Sequence, residues 1–284
     1  MRALVTLLLF SVIAADAQQP RRIISTGPGI TEILFALGLG DRVVGVTDYC
    51  KYPPEAAKVP KIGSWTSTRM EQVAAAQPDL VVVQKTAVFS SARFNDFGIR
   101  TMEVRLDRIA DIYSTIQAIG KAAGVEQRAK ELTDSIRREL DSIAKRVSAR
   151  PRTSVMFVVG RNPGALEGIV AAGGQSYLSE VMYLAGGRNA MADSPVAYPK
   201  VLHEEIIARS PQVILDMGEH ADAATISEAK RKAEVALWSK FSTVSAVRSG
   251  RIHPISSAVF VVPGPRVVEC ARQFARYLHP ELFR

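Results

Sequence analysis

Cysteine and aromatic residues are scarce in this chain of 284 residues, which has two cysteines, two tryptophans and 7% aromatic residues in total. Two cysteines are too few for a disulfide-stabilised scaffold, so the fold must depend on an apolar core. The sequence leaves open whether Cys50 and Cys270 pair, and we expect separate thiols. With 47% hydrophobic and 23% charged residues, the composition is typical of one or two folded domains.

Long apolar runs are also missing. The first, Ala3–Ala14, has twelve residues, short of the ~20 that a membrane-spanning helix needs. It follows the positive charge of Arg2 and precedes the small-x-small sequence Ala15-Asp-Ala17, a pattern typical of a secretory signal. We therefore predict that residues 1–17 are a cleavable signal peptide and that the protein is periplasmic. No cysteine stands at the cleavage point, so we expect no lipid anchor.

Concentrated charge and catalytic motifs are absent as well. The net charge of +8 comes from 36 basic and 28 acidic residues without a basic tail, which argues against nucleic-acid binding. The sequence has no Gly-x-Ser-x-Gly, His-Glu-x-x-His or phosphate-loop motif. All four histidines lie in the second half, so we predict no metal or cofactor resident in the protein. A remote enzyme alternative rests on Gly27-Pro-Gly29, a weak dinucleotide-loop pattern in which Glu32 replaces the third glycine.

Strand and helix patterns alternate along most of the chain. This alternation predicts an α/β fold with parallel sheets. Apolar residues at steps of three and four, from Leu132 to Val147, predict one long helix between two α/β halves. We predict an N-terminal lobe over residues 18–122, an interlobe helix over 123–150 and a C-terminal lobe over 151–284, with a ligand cleft between the lobes.

The two halves resemble each other. Glu71 stands seven residues before Pro78 and an apolar run, and Glu204 stands seven residues before Pro211 and a second such run. In the same way, Glu32 and Glu180 each precede a glycine by six residues. The sequence therefore indicates an imperfect internal duplication.

Several segments together resemble the substrate-binding proteins of cobalamin, ferric siderophore and haem ABC importers. They are Arg22-Ile-Ile-Ser-x-Gly-Pro-x-Ile-Thr-Glu-Ile-Leu-Phe-Ala-Leu-Gly38, Val43-Val-Gly-Val46, Tyr52-Pro-Pro-Glu-Ala56, Val59-Pro-Lys-Ile-Gly63, the run from Glu71 to Val83, Gly173-Gly-Gln-Ser-Tyr-Leu-Ser-Glu180, Ala185-Gly-Gly-Arg-Asn189 and the run from Glu204 to Leu215. This resemblance implies a monomeric receptor without catalysis that delivers a chelate to a membrane permease dimer driven by a cytoplasmic ATPase.

The resemblance also implies roles for individual residues. In this family a glutamate on each lobe docks on arginines of the permease, and Glu71 and Glu204 match those positions. A structural alternative exists for Glu71, because Thr68-Arg-Met-Glu71 fits a helix capping box.

Ligand-binding candidates follow the predicted strands. They are Tyr49, Trp65, Lys85, Arg161, Tyr198 and Phe260. Because Tyr49, Trp65, Tyr198 and Phe260 match aromatic positions of the cobalamin-binding members, we favour a corrinoid ligand.

Two other ligands remain open. An anionic ferric siderophore would use convergent cations, which Lys85, Arg69 and Arg161 could supply. Haem would need an axial ligand, with Tyr49 the candidate in the first lobe and a histidine in the second.

Overall fold

The computed structural model describes residues 19–64, 66–86, 89–218 and 226–283. The predicted signal peptide, residues 1–17, lies outside the described residues. None of the helices that the structure describes combines the length and apolar character needed to cross a bilayer.

The N-terminal lobe is built on a parallel sheet. Its strands are β1 (Ile23–Ser25), β2 (Val43–Val46), β3 (Leu80–Gln84) and β4 (Thr101–Val104), in the order β2-β1-β3-β4. Ile23 pairs with both Val43 and Leu80, so β1 and β3 are the central strands. Apolar, mostly β-branched runs form β1, β2 and β3, which are largely buried, whereas the edge strand β4 is partly exposed.

The C-terminal lobe repeats this order. Its strands are β5 (Thr153–Gly160), β6 (Val170–Ala171), β7 (Gly187–Asn189), β8 (Val213–Asp216) and β9 (Ile252–Pro254). The parallel series β7-β5-β8-β9 corresponds to β2-β1-β3-β4, and β6 adds an antiparallel strand beside β5. The internal duplication seen in the sequence is therefore present in the fold.

Helices cover both sheets. They are α1 (Pro28–Ala36), α2 (Met70–Ala75), α3 (Ala92–Asn95), α4 (Ile109–Ala123), α5 (Glu126–Val147), α6 (Tyr177–Leu184), α7 (His203–Arg209), α8 (Glu228–Leu237), α9 (Ser245–Arg248) and α10 (Val267–Leu278). Short 3-10 turns cover Gly40–Arg42, Pro54–Lys58, Trp238–Phe241 and Ala258–Phe260.

One continuous apolar core extends through both lobes. Val82 of β3 and Phe157 of β5 belong to this shared core, together with the inner faces of α1, α4, α5, α6 and α10. The neighbouring residues in the same strands, Val81 and Met156, point the other way into two separate outer cores. Because successive strand residues face opposite sides, each sheet has one face in a core common to both lobes.

The long helix α5 joins the two lobes. Near its start, Arg128 donates from Nη1 to the carbonyl of Leu37 at 3.3 Å. At its other end, Val147 packs against Gly186 of the C-terminal lobe. The helix lies inside residues 123–150, and Ile136, Leu140, Ile143 and Val147 of the predicted stripe are buried. Two α/β lobes joined by one long helix were the predicted fold class, which is confirmed.

Two further expectations from the sequence concern the cysteines and the start of α2. Cys50 and Cys270 are buried free thiols, as expected. The capping-box alternative for Glu71 is wrong: Thr68 pairs with Gly63 in an isolated bridge, and its hydroxyl donates to the carbonyl of Ser64 at 3.0 Å. This extended hairpin keeps Thr68 away from the first turn of α2.

Candidate functional site

The carboxyl ends of the strands in each lobe face the other lobe. Arg108, beyond β4, contacts Glu180 of α6 with 2.5 Å between Nε and Oε1. Arg266, beyond β9, donates from Nε to Oε2 of Glu32 on α1 at 2.9 Å. Loops beyond the carboxyl ends of parallel strands line the ligand crevices of open α/β sheets. The space between the lobes is therefore the candidate ligand cleft.

Tyr198 lies on the C-terminal side of this cleft. It belongs to a loop held beside β6, where the amide of Gly173 donates to the carbonyl of Ala197 at 2.8 Å. The residue is 48% exposed. Its pKa is raised, first by partial removal of the phenol from water and then by the carboxylate of Asp107, which lies beyond β4. Tyr198 therefore faces the N-terminal lobe across the cleft.

Tyr49 and Tyr52 lie on the opposite side, in the loop beyond β2. They are 52% and 47% exposed. The guanidinium of Arg266 lies 4.0 Å from the ring centroid of Tyr52, so this loop reaches the C-terminal lobe. Arg266 and Tyr198 both lie close to Tyr177, whose pKa burial raises well above its usual value. Arg266 and Tyr177 therefore lie between Tyr52 of the N-terminal lobe and Tyr198 of the C-terminal lobe.

Two of these cleft residues, Tyr52 and Arg266, were not predicted from the sequence. Tyr52 had a signal, because it is a second tyrosine three residues after Tyr49. Arg266 had none, since only the tertiary fold places it beside Glu32.

Lys85 lies at the carboxyl end of β3, as predicted, but its charge is paired. Its Nζ donates to Oε2 of Glu103 at 2.9 Å. Glu103 also accepts the backbone amide of Ser91 at 2.8 Å. The amide of Ser91, followed by the Lys85 ammonium, lowers the pKa of Glu103 to about 2. Arg69 is paired in a similar way, with Asp48 at 3.1 Å.

Arg161 follows β5 as predicted but turns into the lobe instead of the cleft. Its side chain is 0% exposed and forms ion pairs with Asp216 and Glu234. Asp216 also accepts the indole Nε1 of Trp238 at 2.8 Å. Because a buried guanidinium requires charged partners, Arg161 joins β5, β8 and α8. The prediction that it binds ligand is corrected.

Phe260 is likewise a core residue and not a cleft residue. It is 0% exposed, and its ring centroid lies 5.3 Å from that of Phe157 and 5.1 Å from that of Phe274. Its carbonyl accepts the hydroxyl of Tyr177. A ring enclosed in this way offers no exposed face to a ligand, so this prediction is corrected too. Trp65 lies outside the described residues.

Glu71 and Glu204 occupy equivalent places in the two lobes. Each is exposed in the first turn of a short helix, α2 or α7, that leads into a central strand. Because each helix runs back toward the amino end of the following strand, its first turn lies near the cleft side of the lobe. Within the described residues, neither carboxylate forms an ion pair or hydrogen bond. Both are available to an external cation.

The connections after these helices also correspond. Gln77 and Ser210, each preceding a proline, have positive φ angles of 43° and 39°. Non-glycine residues seldom adopt this conformation. The same uncommon turn in both lobes supports the equivalence of Glu71 and Glu204.

The histidines within the described residues make contacts away from the cleft tyrosines. The ring of His203 packs edge-to-face on that of Phe241, and the ring of His253 packs at a tilt on that of Tyr277. His279 is buried, with Nε2 3.2 Å from the carbonyl of Gly186.

The dinucleotide-loop alternative is disfavoured at α1. The backbone of Gly29 packs so closely on the carbonyl of Pro263 that a Cβ at this position would lie 2.1 Å from that oxygen. A phosphate needs this helix N-terminus to be open. Here the C-terminal lobe covers it.

Comparisons with known proteins agree with this architecture. The family model described as "Periplasmic binding protein" matches residues 23–258. An uncharacterized ABC transporter substrate-binding lipoprotein of Bacillus subtilis is 30% identical over 94% of this chain and 82% of that protein. A vitamin B12-binding protein of Salmonella typhimurium is 28% identical over 98% of this chain and 96% of that protein.

Solved structures of similar shape carry different ligand names. The periplasmic vitamin B12-binding protein of Vibrio cholerae has a TM-score of 0.77 at 24% identity, covering 93% of this chain and 99% of its own. A periplasmic heme-binding protein in complex with two hemes also has a TM-score of 0.77 at 24% identity, covering 92% and 98%. At these identities the likeness establishes the fold alone.

Proposed function

Because the chain belongs to the periplasmic binding protein family, we propose that it is the substrate-binding component of an ABC importer and carries a corrinoid in the interlobe cleft. Members of this family bind substrates and are not enzymes. The partners that follow from this role are a permease dimer with its cytoplasmic ATPase. The receptor acts as a monomer and delivers the chelate to that permease.

One observation supports a corrinoid over an anionic siderophore. The three cations that a siderophore site would use, Lys85, Arg69 and Arg161, are each paired with a carboxylate. The exposed aromatic groups along the described part of the cleft are tyrosines, which suit the apolar edge and the amides of a corrin ring. Binding a polyanion would require breaking these ion pairs, whereas binding a corrinoid would leave them in place.

Haem is the second candidate, and a specific observation favours it. Tyr49 is 52% exposed beside the cleft, and a phenol oxygen is a known axial ligand of haem iron.

Isothermal titration of the mature protein with cyanocobalamin, haemin and two ferric siderophores tests the ligand. We expect saturable binding of cyanocobalamin, weakened about tenfold, or about 1.4 kcal/mol, by Tyr198→Ala. The matched control is Tyr183→Ala. Tyr183 is 59% exposed, but it stacks on Arg152 at the far end of α6.

The other ligands give distinct outcomes. Saturation by haemin alone, with a changed absorption spectrum of the bound haem in Tyr49→Phe, would replace the corrinoid by haem. Saturation by a siderophore alone would contradict the cation-pairing argument.

The docking role of Glu71 and Glu204 is part of the proposal. Exposed carboxylates bind arginine directionally, yet such pairs remain weak enough to release. We expect Glu71→Ala with Glu204→Ala to abolish uptake of radiolabelled cyanocobalamin and leave its binding unchanged. Glu55→Ala is the control, since Glu55 is also exposed in a first turn. Normal uptake by the double variant would contradict docking through these residues.

We also propose export by a cleavable signal peptide over residues 1–17. One relative is named a lipoprotein, whereas the first cysteine here, Cys50, is buried in the folded lobe. Mass spectrometry of the exported protein should find Gln18 as the first residue. A lipid-modified or uncleaved N terminus would contradict this.

A further inference from the structure

Two ion pairs connect the lobes, and both join equivalent positions of the duplicated fold. Glu32 of α1 binds Arg266, the residue before α10. Glu180 of α6 binds Arg108, the residue before α4. In each case a glutamate in the first helix of one lobe binds an arginine that precedes the helix after the last parallel strand of the other lobe.

The internal duplication makes these contacts reciprocal. The helices α1 and α6 correspond, because each connects the central strand β1 or β5 to its neighbour β2 or β7. The helices α4 and α10 correspond as well, because they follow β4 and β9. The N-terminal lobe contributes Glu32 to one pair, and the C-terminal lobe contributes the equivalent Glu180 to the other. Such reciprocal contacts are typical of two units related by an approximate twofold axis.

The two pairs differ in their access to solvent. In the Glu32–Arg266 pair the side chains are 3% and 23% exposed, and the ring of Tyr52 lies against the guanidinium. Burial is the main influence on Glu32 and raises its pKa, while Arg266 opposes that rise. In the Arg108–Glu180 pair the side chains are 46% and 30% exposed.

Each pair is reinforced by a backbone contact. Glu180 also accepts the amide of Ile109, the first residue of α4, at 2.8 Å. There the carboxylate faces the positive end of a helix of 15 residues. Beside the other pair, Gly29 of α1 lies directly against the carbonyl of Pro263.

We propose that Glu32–Arg266 and Arg108–Glu180 form a two-point clamp that sets the separation of the lobes and so positions the cleft tyrosines. The buried pair, Glu32–Arg266, stays formed when the lobes move. The exposed pair, Arg108–Glu180, separates when the lobes open. The clamp is a property of the ligand-free protein, and only its effect on binding rests on the proposed function.

Pulsed electron paramagnetic resonance on the ligand-free protein tests the clamp. Spin labels at Gln72→Cys on α2 and Ala208→Cys on α7 report the distance between the lobes. Both positions are exposed, whereas the native cysteines are buried. We expect a narrow distance distribution in the otherwise unsubstituted chain and a broader, longer one in Glu180→Gln. The exchange of Glu180→Arg with Arg108→Glu should restore the narrow one only in part, because the amide of Ile109 then loses its acceptor.

The control is Asp193→Asn, which removes an ion pair with Arg209 inside one lobe and should leave the distribution unchanged. Glu32→Gln tests the buried pair. If that variant does not fold, Glu180→Gln, at a partly exposed site, still decides the proposal. A narrow distribution in Glu180→Gln, equal to that of the unsubstituted chain, would overturn it.

Salt separates the contributions of the two pairs. The Debye length falls from about 10 Å at 0.1 M salt to about 3 Å at 1 M, which weakens exposed pairs far more than buried ones. We expect 1 M NaCl to broaden the distribution in Glu32→Gln, where only the exposed pair remains, and to have little further effect in Glu180→Gln. Equal responses would contradict the assigned roles.

Cyanocobalamin binding provides the link to function. If half of the molecules of a variant are open, its dissociation constant should rise about twofold, because only the closed fraction is competent to bind. Failure of the unsubstituted chain to bind cyanocobalamin would contradict the proposed ligand, whereas the distance measurement would still decide the clamp.

Discussion

Glu103 shows how a single carboxylate orders the end of a central strand. It accepts the amide of Ser91 and the ammonium of Lys85 from the segment that follows β3. These two donors hold its pKa at about 2, against an ordinary 4.5. A carboxyl whose pKa is lower in the folded state stabilises that state above the unfolded pKa. This contribution is lost as the pH falls from 4.5 toward 2.

Nuclear magnetic resonance titration of the side-chain carboxyl should give Glu103 a midpoint near 2. In Lys85→Met the midpoint should rise but stay below 4.5, because the amide of Ser91 has the larger effect and remains. Lys58→Met, at an exposed lysine in the separate 3-10 turn Pro54–Lys58, should leave the midpoint of Glu103 unchanged. A midpoint at the ordinary value in the unsubstituted chain would show that the Glu103 contacts are not formed in solution.

At the scale of elements, the buried face of α5 packs in the core that the two lobes share. Leu140 is 2% exposed in the shared core. We expect Leu140→Ala to lower the free energy of unfolding by about 2–5 kcal/mol, through lost burial and a residual cavity. Chemical denaturation should show this loss in one cooperative transition, because the core is common to both lobes.

The matched control lies on the outer face of the same helix. Lys130 pairs with Asp134 at 2.6 Å and is 67% exposed. Lys130→Ala should change the free energy of unfolding by less than about 0.5 kcal/mol, since exposed helical pairs contribute little. Two separate unfolding transitions in either variant would contradict a core shared by the lobes.

Most elements were predictable because their signals are local. The helix Tyr177–Leu184 has a clear local end signal, since its apolar stripe ends at Ala185-Gly-Gly187. In residues 107–150 the boundary between helices was harder to predict from the sequence. This stretch contains two helices, because Gly124 adopts a left-handed conformation with φ of 71° and ends α4.

At the scale of the whole molecule, the shared core, α5 and the interlobe ion pairs all oppose large movement. We expect the radius of gyration from small-angle scattering to change little when cyanocobalamin saturates the protein. Lobes joined by flexible strands would instead close around a hinge. A change of several ångströms would contradict the rigid connection. A protein that shows no saturable binding would contradict the ligand proposal instead.

The amino-acid sequence by itself determined the alternation of strands and helices, the internal duplication and the equivalence of Glu71 and Glu204. Each of these is encoded in spacing along the chain: apolar periodicity, a glycine after a helix, a proline before a strand.

Only the tertiary structure decided the direction of individual side chains at the cleft. Lys85 and Arg161 both follow central strands, yet Lys85 remains exposed while Arg161 is buried against Asp216. Arg266 had no sequence signal, although it binds Glu32, which lies 234 positions away. The physical reason is that a charged side chain follows its partner, and the partner's position depends on contacts between residues far apart in the chain.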